Sequence, residues 1–259
     1  MYPVLFHIGT FEITSFVVMV AIAALVGISL FTRELKRGGW PEDAANAAVI
    51  GVLGGLFGAK LIWSIEFAGT APFSDLFFSR GGLSWFGGFA GGLTAGLLAL
   101  RHYRVPLISG LAAATPALAL GHAIGRIGCF LVGDDYGKPS DLPWAVAFPN
   151  GLPPTNVPVH PTQLYEMLAL VIITWLLLRW RRLQVADRIV LARYLMLAGA
   201  VRFAIEFVRI NRQILGPLTL AQLWSLGLIL GGLVLAFGVG LQTRPQPSAS
   251  RPRSARGRV

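Results

Sequence analysis

Five ionisable side chains interrupt runs that are otherwise apolar: Lys60, Arg126, Glu166, Arg202 and Glu206. A charge inside a hydrocarbon layer is costly, so each one marks a candidate site. Glu206 follows Arg202 by four residues and Arg209 follows Glu206 by three, so Arg202, Glu206 and Arg209 share one helical face. The three cations Lys60, Arg126 and Arg202 outnumber the acids and need an anion. A guanidinium is a planar fork of donors that matches phosphate oxygens, so a phosphate suits the set. At membrane depth that phosphate belongs to a phospholipid. The alternative for any single arginine is a snorkelling side chain or a structural ion pair.

The segment that carries Arg126 reads GHAIGRIGCFLVGDDYGKP. Its glycines allow close backbone approach and expose N–H groups to the same anion. His122 lies one turn before Arg126, as a packed polar residue or a functional one. Cys129 reads as a small packing residue. Asp134 and Asp135 are adjacent, so their side chains diverge and do not form an aspartic-protease dyad. They cap a turn, bind a hydroxylated headgroup, or stand in solvent. His160, which opens HPTQLYE, is the general-base candidate by position, with Asp134 and Glu206 as further candidates. Neither a metal nor a cofactor is expected.

The elements that position these groups are membrane spans. Of 259 residues, 54% are hydrophobic and 13% charged, and the mean hydropathy is +0.65. Soluble domains carry about 25% charged residues. The fold class is therefore an all-α polytopic membrane protein. Seven spans are predicted at roughly 13–33, 44–65, 82–100, 106–131, 163–180, 189–209 and 217–241. The first is preceded by Glu12 and no basic stretch, so it reads as a true span and not a cleaved leader. One transmembrane domain would cover 1–243, with a small extracytoplasmic loop domain at about 132–162 between spans four and five. Residues 244–259 read as a disordered basic tail. A single Cys excludes an internal disulfide.

Loop charge sets the orientation. Arg33, Lys36 and Arg37, then Arg101 and Arg104, then Arg179, Arg181, Arg182 and Arg188, then the tail arginines, all fall at alternate ends of the spans. The opposite loops hold Arg80, Lys138, Arg209 and Arg212. The N-terminus is predicted outside and the C-terminus in the cytoplasm. This distribution accounts for the net charge of +10 without nucleic acid. It also puts all five intramembrane charges in the outer half of the bilayer. No inverted repeat is visible, which argues against a secondary transporter.

Four segments carry a resemblance. GGLSWFGGFAGG, GRIGCFLVGDDYGKP, VHPTQLYE and VRFAIEFVR, in this order, resemble the motifs of the prolipoprotein diacylglyceryl transferase family. The resemblance implies an enzyme of the bacterial inner membrane. It would move the diacylglyceryl group of phosphatidylglycerol onto the lipobox cysteine of a prolipoprotein, with glycerol-1-phosphate leaving. By position, Arg126 and Arg202 would hold the lipid phosphate, with Gly137 and Gln163 lining the headgroup site. Lys60 would stand where the family has Arg, and Glu206 would orient Arg202. The chain departs from the family pattern at Phe86, where a His or Tyr is expected, and at Cys129, Val132 and Phe16. Those departures leave the phosphate clamp and remove polar groups near the reacting centre. Two other functions fit the same residues: a transferase with another acceptor, and a lipid-binding paralogue that lost the chemistry.

Overall fold

The computed structural model describes residues 2–9, 11–79 and 82–238, so Arg80 and the predicted basic tail lie outside it. An antiparallel hairpin, β1 (Val4–Ile8) and β2 (Phe11–Thr14), leads into α1 (Ser15–Arg37). A short 3-10 turn (Glu42–Ala45) precedes α2 (Asn46–Glu66). Then come α3 (Phe73–Phe77), α4 (Trp85–His102) and α5 (Leu107–Val132). The strands β3 (Val146–Phe148) and β4 (Thr155–Val159) pair before α6 (Thr162–Arg182) and α7 (Asp187–Ile205). A 3-10 turn (Glu206–Val208) and the hairpin β5 (Gln213–Leu215) and β6 (Leu218–Thr219) lead to α8 (Leu220–Phe237).

The fold is an all-α multi-pass membrane protein. Helices α1, α2, α5, α6 and α8 are long and apolar enough to cross a bilayer. The two shorter or more polar ones, α4 and α7, stand where the third and sixth spans are predicted. The main difference from the sequence expectation lies after Ile205. There the predicted helix to residue 209 gives way to the 3-10 turn that begins at Glu206.

Local chemistry explains the ends. Thr14 caps α1 by accepting the Val17 N–H at 3.3 Å, and Thr219 with Gln222 forms a reciprocal capping box on α8. Helix α5 stops at Gly133, whose φ of +78° an L-residue side chain disfavours. Inside α5, Pro116 offers no N–H to the Ala112 carbonyl, and the Thr115 hydroxyl donates to that carbonyl instead, at 2.9 Å.

Helices α2 and α4 pack backbone to backbone through Gly54 and Gly58 against Gly87 and Gly91. This pair joins the rest through Phe31, Leu35, Ala44, Ala47, Ala99, Leu100, Val105, Ala113 and Ala117. A second core, with Ala112, Ala119, Ile173, Leu177, Val190 and Leu191, binds α5, α6 and α7. At the end of the bundle where α6 finishes, Glu34 is fully buried. It accepts from Arg37 Nη1 at 2.7 Å and Arg181 Nε at 3.0 Å, and Arg181 also reaches Asp187 at 2.7 Å. That network ties α1, α6 and α7 together.

Candidate lipid-phosphate site

Arg126, near the end of α5, Glu166, one turn into α6, and Arg202, in the last turn of α7, meet at the opposite end of the bundle. Arg126 Nε lies 2.7 Å from Glu166 Oε2, and Arg202 Nη1 lies 3.8 Å from the same oxygen. Arg202 Nη2 pairs with Glu206 Oε2 at 2.9 Å. Arg209 Nε lies 4.0 Å from that Glu206 oxygen, and its Nη2 donates to Asp135 Oδ1 at 2.6 Å. Asp135 Oδ2 closes the circuit by accepting from Arg126 Nη1 at 2.7 Å. Three guanidiniums and three carboxylates therefore alternate in a closed ring drawn from α5, α6, α7 and the two loops beside them.

The ring differs from the sequence expectation in two ways. Its cations do not outnumber its acids, because Arg209 stands in it instead of Lys60 and Asp135 joins Glu166 and Glu206. Asp135 keeps a partly exposed side chain, and that side chain bridges Arg126 and Arg209. Its backbone holds a φ of +61°, a conformation that aims its carboxylate back at α5. Burial pushes the Asp135 carboxyl up, but Arg209 and Arg126 outweigh it and hold it down at about 2. An unfolded Asp titrates near 3.9, so this residue stabilises the fold above roughly pH 4. That contribution is lost as pH falls from there through about 2. The acid side of the parent's stability profile should be steeper than that of Asp135→Asn when unfolding is followed at pH 2 to 5. Superimposable profiles would contradict the bridge.

The ring is incompletely hydrogen-bonded. Among the described residues, Arg126 Nε, Glu166 Oε2, Arg202 Nη1, Glu206 Oε2 and Arg209 Nε are buried with no aligned hydrogen-bond partner. Asp134 Oδ1 and Gln163 Oε1 are in the same condition. Native interiors contain few such atoms, and a cluster of them makes the ring a candidate site for a polar ligand.

The remaining predicted residues take distinct places. Gln163 is buried and its Nε2 donates to the Asp134 carbonyl, while Thr162 Oγ1 donates to the Asp135 carbonyl at 2.7 Å. Burial pushes the Asp134 carboxyl up. Gly137 sits where three segments touch: a Cβ there would meet Val208 O, Thr162 Cγ2 and His160 Cβ at 2.5 to 2.9 Å. Glu206 Oε1 accepts from Asn211 at 2.6 Å and Thr219 at 2.8 Å, so this acid is fully engaged in holding the arginines. His160 Nδ1 lies 3.3 Å from the Tyr165 hydroxyl, which accepts from Trp144 Nε1 at 2.7 Å. Among the described residues no hydrogen bond or ion pair joins the His160 side chain to the ring. Lys60 bonds Ser79 Oγ at 2.8 Å and lies over the Trp63 ring, beside the α2–α4 pair, and the ring's ion pairs do not include it. Phe86, in the first turn of α4, is 48% exposed. Cys129, Asp134 and Asp135 bring potential metal ligands within 4.8 Å of one another, but both Asp135 oxygens already face guanidiniums.

Sequence reasoning gave no role to Glu166, which touches three basic side chains: Arg126, Arg202 and His122, whose Nε2 is 3.6 Å from Oε1. Its signal was available, as the acid of HPTQLYE enters a span that has no other charge until Arg179. A family model described as prolipoprotein diacylglyceryl transferase matches residues 3–238. The chain belongs to the prolipoprotein diacylglyceryl transferase family. It is 31% identical over 238 residues to the phosphatidylglycerol–prolipoprotein diacylglyceryl transferase of Clostridium tetani, covering 90% of this chain and 96% of that protein. The protein of the same name from Bordetella avium is 33% identical over 258 residues, covering 95% of this chain and 97% of its own. That of Methylobacillus flagellatus is 32% identical over 249 residues, covering 90% and 94%. The family match spans every helix that contributes to the ring.

Proposed function

We propose that this chain transfers the diacylglyceryl group of phosphatidylglycerol to the lipobox cysteine thiol of a prolipoprotein, at the outer face of the bacterial inner membrane. The observation that carries the reading is the ring of arginines and carboxylates, with guanidinium donors that lack an aligned hydrogen bond, in a chain of this family. Arg126 and Arg202 take the lipid phosphate through the donor capacity left by Glu166, Glu206 and Asp135. Gln163 offers Oε1 to a headgroup hydroxyl, and Gly137 keeps the loop close enough to line the same space. Glu206 positions Arg202 and moves no proton. Lys60 adds a cation at the end of α2.

In the reaction the thiolate sulfur attacks the glyceryl carbon. The carbon–oxygen bond breaks, its electron pair goes to the phosphate oxygen, and glycerol-1-phosphate leaves. Donors fixed before the reaction stabilise that developing charge without reorganising.

The test supplies radiolabelled phosphatidylglycerol and a lipobox peptide to the purified chain in bilayers. Label should move to the peptide thiol. Bound lipid with no transfer would favour the second reading, a lipid-binding paralogue, which Phe86 supports because a phenyl ring moves no proton.

The topology belongs to the same proposal: seven spans, N-terminus outside, C-terminus in the cytoplasm, and an extracytoplasmic loop domain around β3 and β4. The opposed basic loops support it. A reporter after Val259 should read as cytoplasmic and one inserted between Pro139 and Pro158 as external. Both on one side would overturn the arrangement.

A further inference from the structure

We propose that His122, on α5, is the general base that takes the thiol proton; the inference rests on the transferase reading above. The chain has four histidines. His7 belongs to β1 and His102 ends α4 at the basic end of the bundle. His160 is engaged with Tyr165 and precedes Glu166 by six residues, on the headgroup side of the ring. His122 alone faces the ring from within a span.

Three features fit it to the task. Its Nε2 lies 3.6 Å from Glu166 Oε1, beyond hydrogen-bond length, and a carboxylate there favours the proton on Nε2 and leaves Nδ1 to accept. Catalytic contacts of this kind tighten from such distances when substrate binds. The side chain is 48% exposed although it lies mid-helix. An imidazole left against hydrocarbon is costly, and an exposed one on this face is accessible to a substrate that approaches the ring.

Depth supplies the third feature. His122 is one turn before Arg126, about 6 Å toward the membrane interior. In a phospholipid with its chains in the bilayer, the glyceryl carbon lies on that same inner side of the phosphate. Displacement at this carbon requires the sulfur opposite the departing oxygen. A base beneath the phosphate clamp meets that requirement, and one on the headgroup side does not. Asp135, Glu166 and Glu206 each face two guanidiniums, and Asp134 follows the end of α5, on the headgroup side of Arg126.

The step balances. The thiol proton passes to His122 Nδ1, the sulfur–carbon bond forms, and the carbon–oxygen bond breaks with its pair on phosphate. Glycerol-1-phosphate leaves, and the imidazolium gives its proton to that phosphate or to water.

The experiment measures kcat, KM and phosphatidylglycerol binding for the full chain in phosphatidylglycerol bilayers, parent against His122→Gln and His122→Asn, from pH 7 to pH 9. The charged groups facing His122 are Arg126 of its own helix, Glu166 of α6 and Arg202 of α7. At pH 7, kcat should fall about 100- to 10,000-fold with lipid binding within about threefold of the parent. The deficit should shrink at least about tenfold near pH 9, where a free thiol ionises without help. Activity within about threefold of the parent in either folded variant overturns the inference. So does a loss of binding and turnover together that pH does not relieve. A parent that binds lipid and transfers no label overturns the transferase reading instead.

Discussion

Arg126→Lys is expected to lower kcat/KM for diacylglyceryl transfer about 100- to 1,000-fold, the range found when one donor to a developing oxyanion is removed. Charge is kept, but the fork is lost. A single ammonium on a flexible stem cannot face Glu166 Oε2 and Asp135 Oδ2 as Nε and Nη1 do, at 2.7 Å each, and still offer donors to phosphate. Arg202→Lys should be impaired by the same logic, because Nη2 is engaged by Glu206 while Nη1, 3.8 Å from Glu166, makes no hydrogen bond. Lipid binding and label transfer are the two measurements. Should both lysine variants match the parent in each, the two-pronged recognition of phosphate is wrong.

The second large effect is one of stability. Glu34→Ala should cost about 3–5 kcal/mol, because it leaves Arg181 buried with only Asp187 opposite it. Arg37 is partly exposed and loses less. Thermal unfolding in bilayers or detergent reads this directly. Turnover per folded molecule should stay unchanged, since the network lies at the other end of the bundle from the ring. A variant as stable as the parent would mean that the inner ends of α1, α6 and α7 are held by apolar packing alone.

The helices were legible in the sequence because a span must satisfy its own backbone bonds and bury only apolar surface, which leaves long hydrophobic runs. The ring was half legible. Arg126, Arg202 and Glu206 stand out as charges in apolar runs, and the i, i+4 spacing gives the Arg202–Glu206 pair directly. Asp135 did not stand out, because its role comes from a left-handed backbone turn after Gly133 that brings a loop acid between one arginine 9 residues before it and another 74 residues after it. Glu166 carries the right signal, but its centrality depends on how α5, α6 and α7 meet, and no spacing within α6 encodes that. Lys60 shows the converse. It has the same depth signature as the arginines, yet it sits on the α2–α4 pair, whose ties to the bundle gather at the basic end.

The glycine seam between α2 and α4 bears on how damage there can be repaired. A methyl group added at Gly58 or Gly87 would strike first the main-chain oxygen of the glycine across from it. No codon changes a main-chain oxygen. A selection for second-site revertants of Gly58→Ala should therefore recover true reversion or distant global stabilisers, and no partner on the facing helix. At Gly110 the first obstacle is the Leu100 side chain, which a shorter residue removes. Two glycines in neighbouring helices thus differ in heritable repairability, and the difference is set by whether backbone or side chain fills the space opposite.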